Sequence, residues 1–304
     1  MNKVMHRFKL FFSSLLLLSL GFSTPLNAMD ALVLQSDFGV KDAAVASMKG
    51  VAVGVSSDLD IYDLTHEVPA FNIWEASLRL AQTAQYWPAG TVFVSVVDPG
   101  VGTARKSVVL KTKSGHFFVT PDNGTLTAVA EQLGIDSVRE IDEAVNRLAN
   151  SEKSYTFHGR DVYAYTGARL AANVISFKQV GKKLPDQVMT IAYQKALYEN
   201  GRIAGNIEIL DPQYGNIWTN IDRATFKNLE LQPGDLVTIK ITNGDQVVQE
   251  KTIPYYDSFG RVEVGQPLLY LNSLNNVALA LNQGNYAATF QILSGSNWNI
   301  ELSK

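Results

Sequence analysis

No cysteine occurs among the 304 residues, and histidine occurs only four times. The first absence excludes a disulfide framework, a thiolate metal site, a cysteine nucleophile and a cysteine-borne lipid anchor. The second leaves no two histidines at metal-ligand spacing on a helix. Long apolar runs are nearly missing as well. Residues 10–20 form the one candidate, and Ser13, Ser14 and Gly21 break it short of the roughly 18 to 25 apolar residues that a membrane span needs. That run follows Lys3, Arg7 and Lys9 and ends near Leu26-Asn27-Ala28, which reads as a secretory signal peptide over residues 1–28. The expected location is therefore periplasmic or secreted, with no stable membrane anchor once the signal is removed. Its removal leaves 23 basic residues against 29 acidic ones, a net charge of minus 6. A surface of that sign has no broad attraction for nucleic acid or anionic membrane.

What is present is an ordinary globular composition, 46% hydrophobic and 18% charged, on a chain long enough for two cores. In the first half short apolar runs alternate with amphipathic ones. Residues 31–35 and 91–97 read as buried strands, while residues 42–55, 73–86 and 124–133 carry helical spacing. This alternation predicts an α/β sheet with helical crossovers. Residues 108–120 read instead as a hairpin turning at Lys113-Ser114-Gly115. From about Gly201 the chain becomes short β-branched runs (203–210, 235–241, 247–253) punctuated by Asn-Gly, Pro-Gly and Gly-Arg, which predicts a mostly β half, a small barrel. The boundary falls within residues 177–200. The expected domains are an α/β domain over 29–190, with a mostly parallel central sheet, and a mostly antiparallel β-barrel domain over 191–304.

Polar residues gather at predicted strand ends, where open α/β sheets bind ligands. Asp37 and Asp98 each directly follow a strand. Asp37 has a plain alternative as a helix cap or turn residue. Gly100-Val101-Gly102 lacks the rest of a phosphate-cradling fingerprint, so nucleotide-phosphate binding is not expected. His66 and His116 read as satisfied structural histidines. His158, followed by Gly159-Arg160-Asp161, has a loop setting in which a buried apolar role is hard to satisfy.

Seven stretches in order complete the pattern: Ser36-Asp37-Phe38-Gly39 with Met48-Lys49-Gly50; Thr65-His66-Glu67-Val68-Pro69; Val97-Asp98-Pro99-Gly100-Val101-Gly102-Thr103; Pro121-Asp122-Asn123-Gly124; Thr156-Phe157-His158-Gly159-Arg160-Asp161; Tyr214-Gly215-Asn216-Ile217-Trp218-Thr219-Asn220; and Leu271-Asn272-Ser273. Together they resemble the S-adenosylmethionine hydroxide adenosyltransferase family, relatives of the fluorinase and chlorinase, over nearly all of the mature chain. The resemblance implies the two-domain fold, a homotrimer with substrate between adjacent subunits, and no cofactor or metal, S-adenosylmethionine being the substrate. It implies that Asp98, Arg105 and His158 form the family's water-handling triad. It places Asp37 on the ribose hydroxyls, Asp211 on the methionine ammonium, Ser273 near the amino-acid end and Asn216 on the adenine edge, with Phe71 along the substrate and Trp218 walling the pocket. After Asp42, where the family usually has Tyr-Val-Gly, this chain reads Ala43-Ala44-Val45-Ala46-Ser47.

The implied reaction is hydrolysis to adenosine and methionine by in-line attack of water on the ribose C5′. A sulfonium leaves as a neutral thioether, so positioning and proton removal are the tasks that remain. A carboxylate, a guanidinium and an imidazole suit them. Which of His158 and Asp98 is the base stays open at this level. A halide about 4 Å from the Asp98 carboxylate would meet repulsion of about 4 kcal/mol at an effective dielectric near 20. In the halide-using relatives the position matching Asp98 is not acidic, and that matching Gly159 carries a hydroxyl. The competing readings are halide transfer and an exported protein that binds S-adenosylmethionine or adenosine without cleaving it.

Overall fold

The computed structural model describes residues 31–304, so the expected signal peptide lies outside the described residues. The apolar run predicted at 31–35 forms β1 (Ala31–Ser36), buried along its whole length. Next come α1 (Ala44–Val55), β2 (Asp60–Thr65), α2 (Ile73–Ala84), β3 (Val92–Val96), β4 (Ser107–Thr112), β5 (Phe117–Pro121), α3 (Thr127–Leu133) and β6 (Ile135–Glu140). The six strands make one sheet in the order β2-β1-β3-β5-β4-β6. Pairing is parallel from β2 through β5, and β4 alone runs the other way, antiparallel to both β5 and β6.

Both faces of the sheet are covered, which explains why its central strands are apolar at every position rather than alternating. Leu32, Leu34, Val92, Val94 and Val96 point to the face covered by α1 and by α4 (Tyr165–Ala171). Val33 and Phe93 point to the other, under α2 and α3. On α1 the buried residues Val45, Met48 and Ala52 fall on one stripe. Helix α4 comes close enough to β3 that a Cβ on Gly167 would collide with Val94.

Residues 182–196 run largely without regular structure along the first domain. Met189 N–H donates to Asp122, Ile191 N–H to Thr127, and Tyr193 O–H to Glu131, while the Tyr193 ring lies 4.7 Å from that of Trp74. The second half then forms β7 (Leu197–Glu199), β8 (Arg202–Leu210), β9 (Ile217–Asp222), β10 (Leu236–Asn243), β11 (Gln246–Pro254), β12 (Pro267–Leu271), β13 (Asn276–Leu281) and β14 (Trp298–Ser303). The order is β11-β10-β14-β8-β9-β13-β12. A bridge between Tyr255 and Leu269 brings the two ends together, so this antiparallel sheet is a nearly closed barrel. Alternate residues such as Val237, Ile239 and Ile241 fill its interior with Ile203, Ile300 and Leu302. This is the expected α/β domain followed by an antiparallel β-barrel.

Candidate active site

The sheet order reverses at β1, whose neighbours β2 and β3 lie on opposite sides, and such a switch point leaves a crevice beyond the strand ends. Asp37 stands one residue past β1 and Asp98 two past β3, so both border that crevice. Two tight turns, Val101 N–H to Asp98 C=O and Thr103 N–H to Gly100 C=O, reverse the chain after Asp98. Gly102 takes φ +78° in that reversal, a conformation that favours glycine. Because β4 is antiparallel, it starts at the same edge where β3 and β5 end. Arg105, just before β4, is therefore returned to Asp98.

The guanidinium grips the carboxylate on both oxygens. Arg105 Nε donates to Asp98 Oδ1 and Oδ2 at 3.0 Å each, and Nη2 donates to Oδ2 at 2.5 Å. The Asp98 and Arg105 side chains are only 5% and 10% exposed, so the pair is largely removed from solvent screening. Burial works against the Arg105 charge, but the bonds and proximity of Asp98 outweigh it and hold the guanidinium above its ordinary pKa. The same Nη2 faces His158 Nδ1 at 3.0 Å.

His158 arrives from across the chain, at the start of a wide π-helical turn, Gly159–Ala164, that runs directly into α4. Gly159 allows this approach. A Cβ there would meet Val96 Cγ1 at 3.0 Å and the Phe38 ring at 3.2 Å. Burial is the main cause that pushes the His158 pKa below its ordinary value; Arg105 and Arg147 push the same way, against Glu143 and Asp98. Arg160, next in the motif, turns away and pairs with buried Asp161.

One cavity of about 240 Å³ is lined by Asp37, Phe71, Asp98 and His158, together with Phe38, Val96, Phe157 and Gly159. Asp37 does not cap α1; its Oδ2 accepts the Phe71 N–H at 2.9 Å. Phe71 sits at φ +67° and is 71% exposed. A non-glycine residue in that region is strained, and such strain clusters at ligand sites. Thus the structure brings together the three triad residues, Asp37 and Phe71.

The other predicted residues lie on the barrel. Asn216 lines a second cavity of about 530 Å³ with Tyr214, Phe259 and Asn285. Asp211 borders a third, and its carboxylate accepts from the backbone N–H of Gln213 and Tyr214 and from Asn216 Nδ2. Trp218 packs beside Leu268, Tyr270, Ala278 and Ala280. Ser273 is exposed in the turn between β12 and β13. His66 is satisfied by Ser36 and Asp63, and His116 by Ser114 and the Trp87 carbonyl. Among the described residues no group of three or more His, Asp or Glu is placed to hold a metal ion.

Two neighbours of His158 escaped the sequence reading. Arg147 Nη2 lies 3.1 Å from His158 Nε2 and 2.8 Å from Glu143 Oε2. The only signal for them is their acid–base spacing of four residues, which ordinarily marks a solvated pair.

The family model for the SAM hydroxide adenosyltransferase N-terminal domain matches residues 32–181, and that for the C-terminal domain matches residues 205–299. The chain belongs to the SAM hydroxide adenosyltransferase family. Among this family's members, an (R)-S-adenosyl-L-methionine hydrolase of Methanocaldococcus jannaschii is 36% identical over 237 residues, 75% of this chain and 81% of its own. A fluorinase of Actinopolyspora mzabensis is 27% identical, covering 90% of this chain and 97% of its own. An uncharacterized conserved protein from Thermotoga maritima, solved as a crystal structure, superposes with a TM-score of 0.80 at 33% identity, over 90% of this chain and all of that one.

Proposed function

We propose that the protein hydrolyses S-adenosyl-L-methionine to adenosine and L-methionine. The observation that carries this reading is the meeting of Asp98, Arg105 and His158, brought from two distant parts of the chain, with Asp98 and His158 lining one cavity. The 30% or greater identity to S-adenosylmethionine hydrolases of M. jannaschii, Salinispora tropica and Thermus thermophilus supports it.

In this mechanism Asp37 receives the ribose hydroxyls, and Phe71 lies along the substrate. A water held by Asp98, beside the His158 ring, approaches C5′ opposite the sulfonium. The new C–O bond forms as the C–S bond breaks, and its electron pair stays on sulfur as neutral thioether. Asp98, gripped by Arg105 on both oxygens, accepts a hydrogen bond from the water as the water oxygen loses electron density. The released proton leaves by way of the Asp98 carboxylate to solvent.

Halide transfer fits this wall poorly. A fluoride or chloride would lie against the Asp98 carboxylate, whose guanidinium partner is already engaged with that acid, with Ser107 and with His158. A binding protein without catalysis would need Asp37 but not the buried triad.

Substrate contacts assigned to Asp211, Asn216, Trp218 and Ser273 belong to the methionine and adenine ends. The triad cavity, about 240 Å³, is smaller than the 300–1,000 Å³ usual for small-molecule sites. We therefore place the complete site between the α/β domain of one subunit and the barrel of the next, in a homotrimer. The mature protein acts in the periplasm or outside the cell, on the strength of residues 1–28.

The test is turnover followed by chromatography of adenosine and methionine. His158→Ala and Asp98→Asn should each lower kcat by roughly 10²- to 10⁴-fold, the scale of a lost acid–base group. Wild-type activity in either variant would contradict the assignment.

A further inference from the structure

His158 sits between two arginines. Arg105 faces Nδ1 at 3.0 Å and Arg147 faces Nε2 at 3.1 Å. A guanidinium offers only donors, whereas a neutral imidazole has one ring nitrogen that accepts and a protonated one has none. Protonating His158 would therefore set N–H against N–H on both edges. The neutral ring satisfies one arginine and leaves a single mismatch.

Arg147 is not a mobile surface cation. Its side chain is 8% exposed, and three acceptors fix it, Glu143 Oε2 at 2.8 Å and the Ser151 and Ser154 carbonyls through Nη1, with the His158 ring as a fourth contact. Glu143 in turn takes a hydrogen bond from the Ser107 hydroxyl at 3.5 Å, and Ser107 accepts from Arg105 Nη1 at 3.1 Å. The polar contacts thus close a ring, running from Arg105 through His158, Arg147, Glu143 and Ser107 back to Arg105.

We propose that Arg147, anchored by Glu143, is a positioning residue of this site: it closes on His158 from the side opposite Arg105 and fixes the plane and tautomer of the imidazole. The proposal rests on the hydrolytic reading for its catalytic meaning, but the arrangement of charges around the ring can be tested without turnover. Four charged groups face His158, namely Asp98, Arg105, Glu143 and Arg147. Arg147 opposes a proton on the ring and Glu143 favours one, so their removal has opposite effects.

The experiment is an NMR titration of ring-¹⁵N-labelled histidine in the whole protein, with His158→Ala to assign the signal. It is paired with pH profiles of kcat and KM. In Arg147→Gln the His158 midpoint should rise by about one pH unit or more, as expected for loss of a like charge within roughly 4 Å. In Glu143→Gln it should fall. The acidic limb of kcat/KM should follow the ring in both, Arg147→Gln should lower kcat several-fold with KM little changed, and Arg147→Lys should recover most of that loss. Arg147 also holds two loop carbonyls, so its replacement can loosen residues 151–156. Glu143→Gln leaves those bonds in place and keeps the test decisive.

A His158 midpoint unmoved in both variants, or moved the same way in both, overturns the proposal. If the wild type does not cleave S-adenosylmethionine, the hydrolytic reading fails while the titration still decides the role of Arg147.

Discussion

Asp98 and His158 would be poor partners for a water if either stood alone. An isolated buried carboxylate tends to take up a proton, and a histidine beside an acid tends to become charged. Arg105 joins the two by spending Nε and one Nη2 hydrogen on Asp98 and turning the same Nη2 to His158. At Gly159 the consequence of adding atoms is direct. A serine there would press its Cβ on Val96 and Phe38, contacts of 3.0 and 3.2 Å that require the neighbours to give way. Gly159→Ser should cost about 1–3 kcal/mol of stability, the usual scale of overpacking, measured by denaturant titration. It should also form no 5′-haloadenosine in high chloride, because the Asp98 carboxylate remains. Haloadenosine from that variant would show that the glycine, not the carboxylate, bars halide.

The meeting of Asp98, Arg105 and His158 was legible in the sequence through motif order, since an acid after a strand and a His-Gly-Arg-Asp loop are each weak alone. Arg147 and Glu143 were not, because their role depends on a fold-back from residue 147 to residue 158 that no periodicity records. Arg160 illustrates the converse. It stands inside the motif, yet the structure gives it to Asp161.

Elements that could be read from the sequence are those whose apolar pattern matches their burial. β1, β3 and the β4–β5 hairpin come within a residue or two of expectation. The expected start of α2 at Ile73 matches, while those of α1 and α3 ran early for local reasons. Asp42 accepts the Ala44 N–H outside α1, and Gly124, at φ +107°, makes a turn before α3. Strand β8 carries a feature that alternation alone does not explain. Ile207 enters the barrel core and Ile209 joins the core of the α/β domain, leaving Glu208 buried between them. Burial, with Glu131 nearby and only Lys195 opposing, pushes Glu208 up to about 7. A carboxyl raised above its unfolded value near 4.5 binds more protons when folded, so its contribution favours folding at low pH and is lost as pH rises from about 4.5 through 7. By pH 8 the loss is on the order of 3 kcal/mol. Glu208→Gln should therefore be more stable than wild type at pH 8 and show no such gain at pH 4. Equal stability differences at both values, by thermal or denaturant unfolding, would contradict the burial account.

At the scale of the whole molecule, the α/β-then-barrel order was readable from the change of hydrophobic period near Gly201. The relation between the triad cavity and the barrel residues was not, because it depends on surfaces rather than on patterns along the chain. The proposed trimer makes that relation testable. His158→Ala leaves the barrel intact, and Asp211→Ala leaves the triad intact. If each site joins one subunit's triad to its neighbour's barrel, co-expressed chains of the two inactive variants should regain part of the activity by pairing two sound halves. No recovery, in mixtures shown to contain both chains in one assembly, would place the site within a single subunit.

The central claim is that water is the nucleophile and the ribose C5′ is its target. Cleavage of S-adenosylmethionine by the purified mature protein in ¹⁸O-enriched water tests it most directly. The account predicts adenosine carrying the heavy oxygen at its 5′-hydroxyl, with unlabelled methionine released alongside; substrate recovered intact, or label in methionine in place of adenosine, would contradict it.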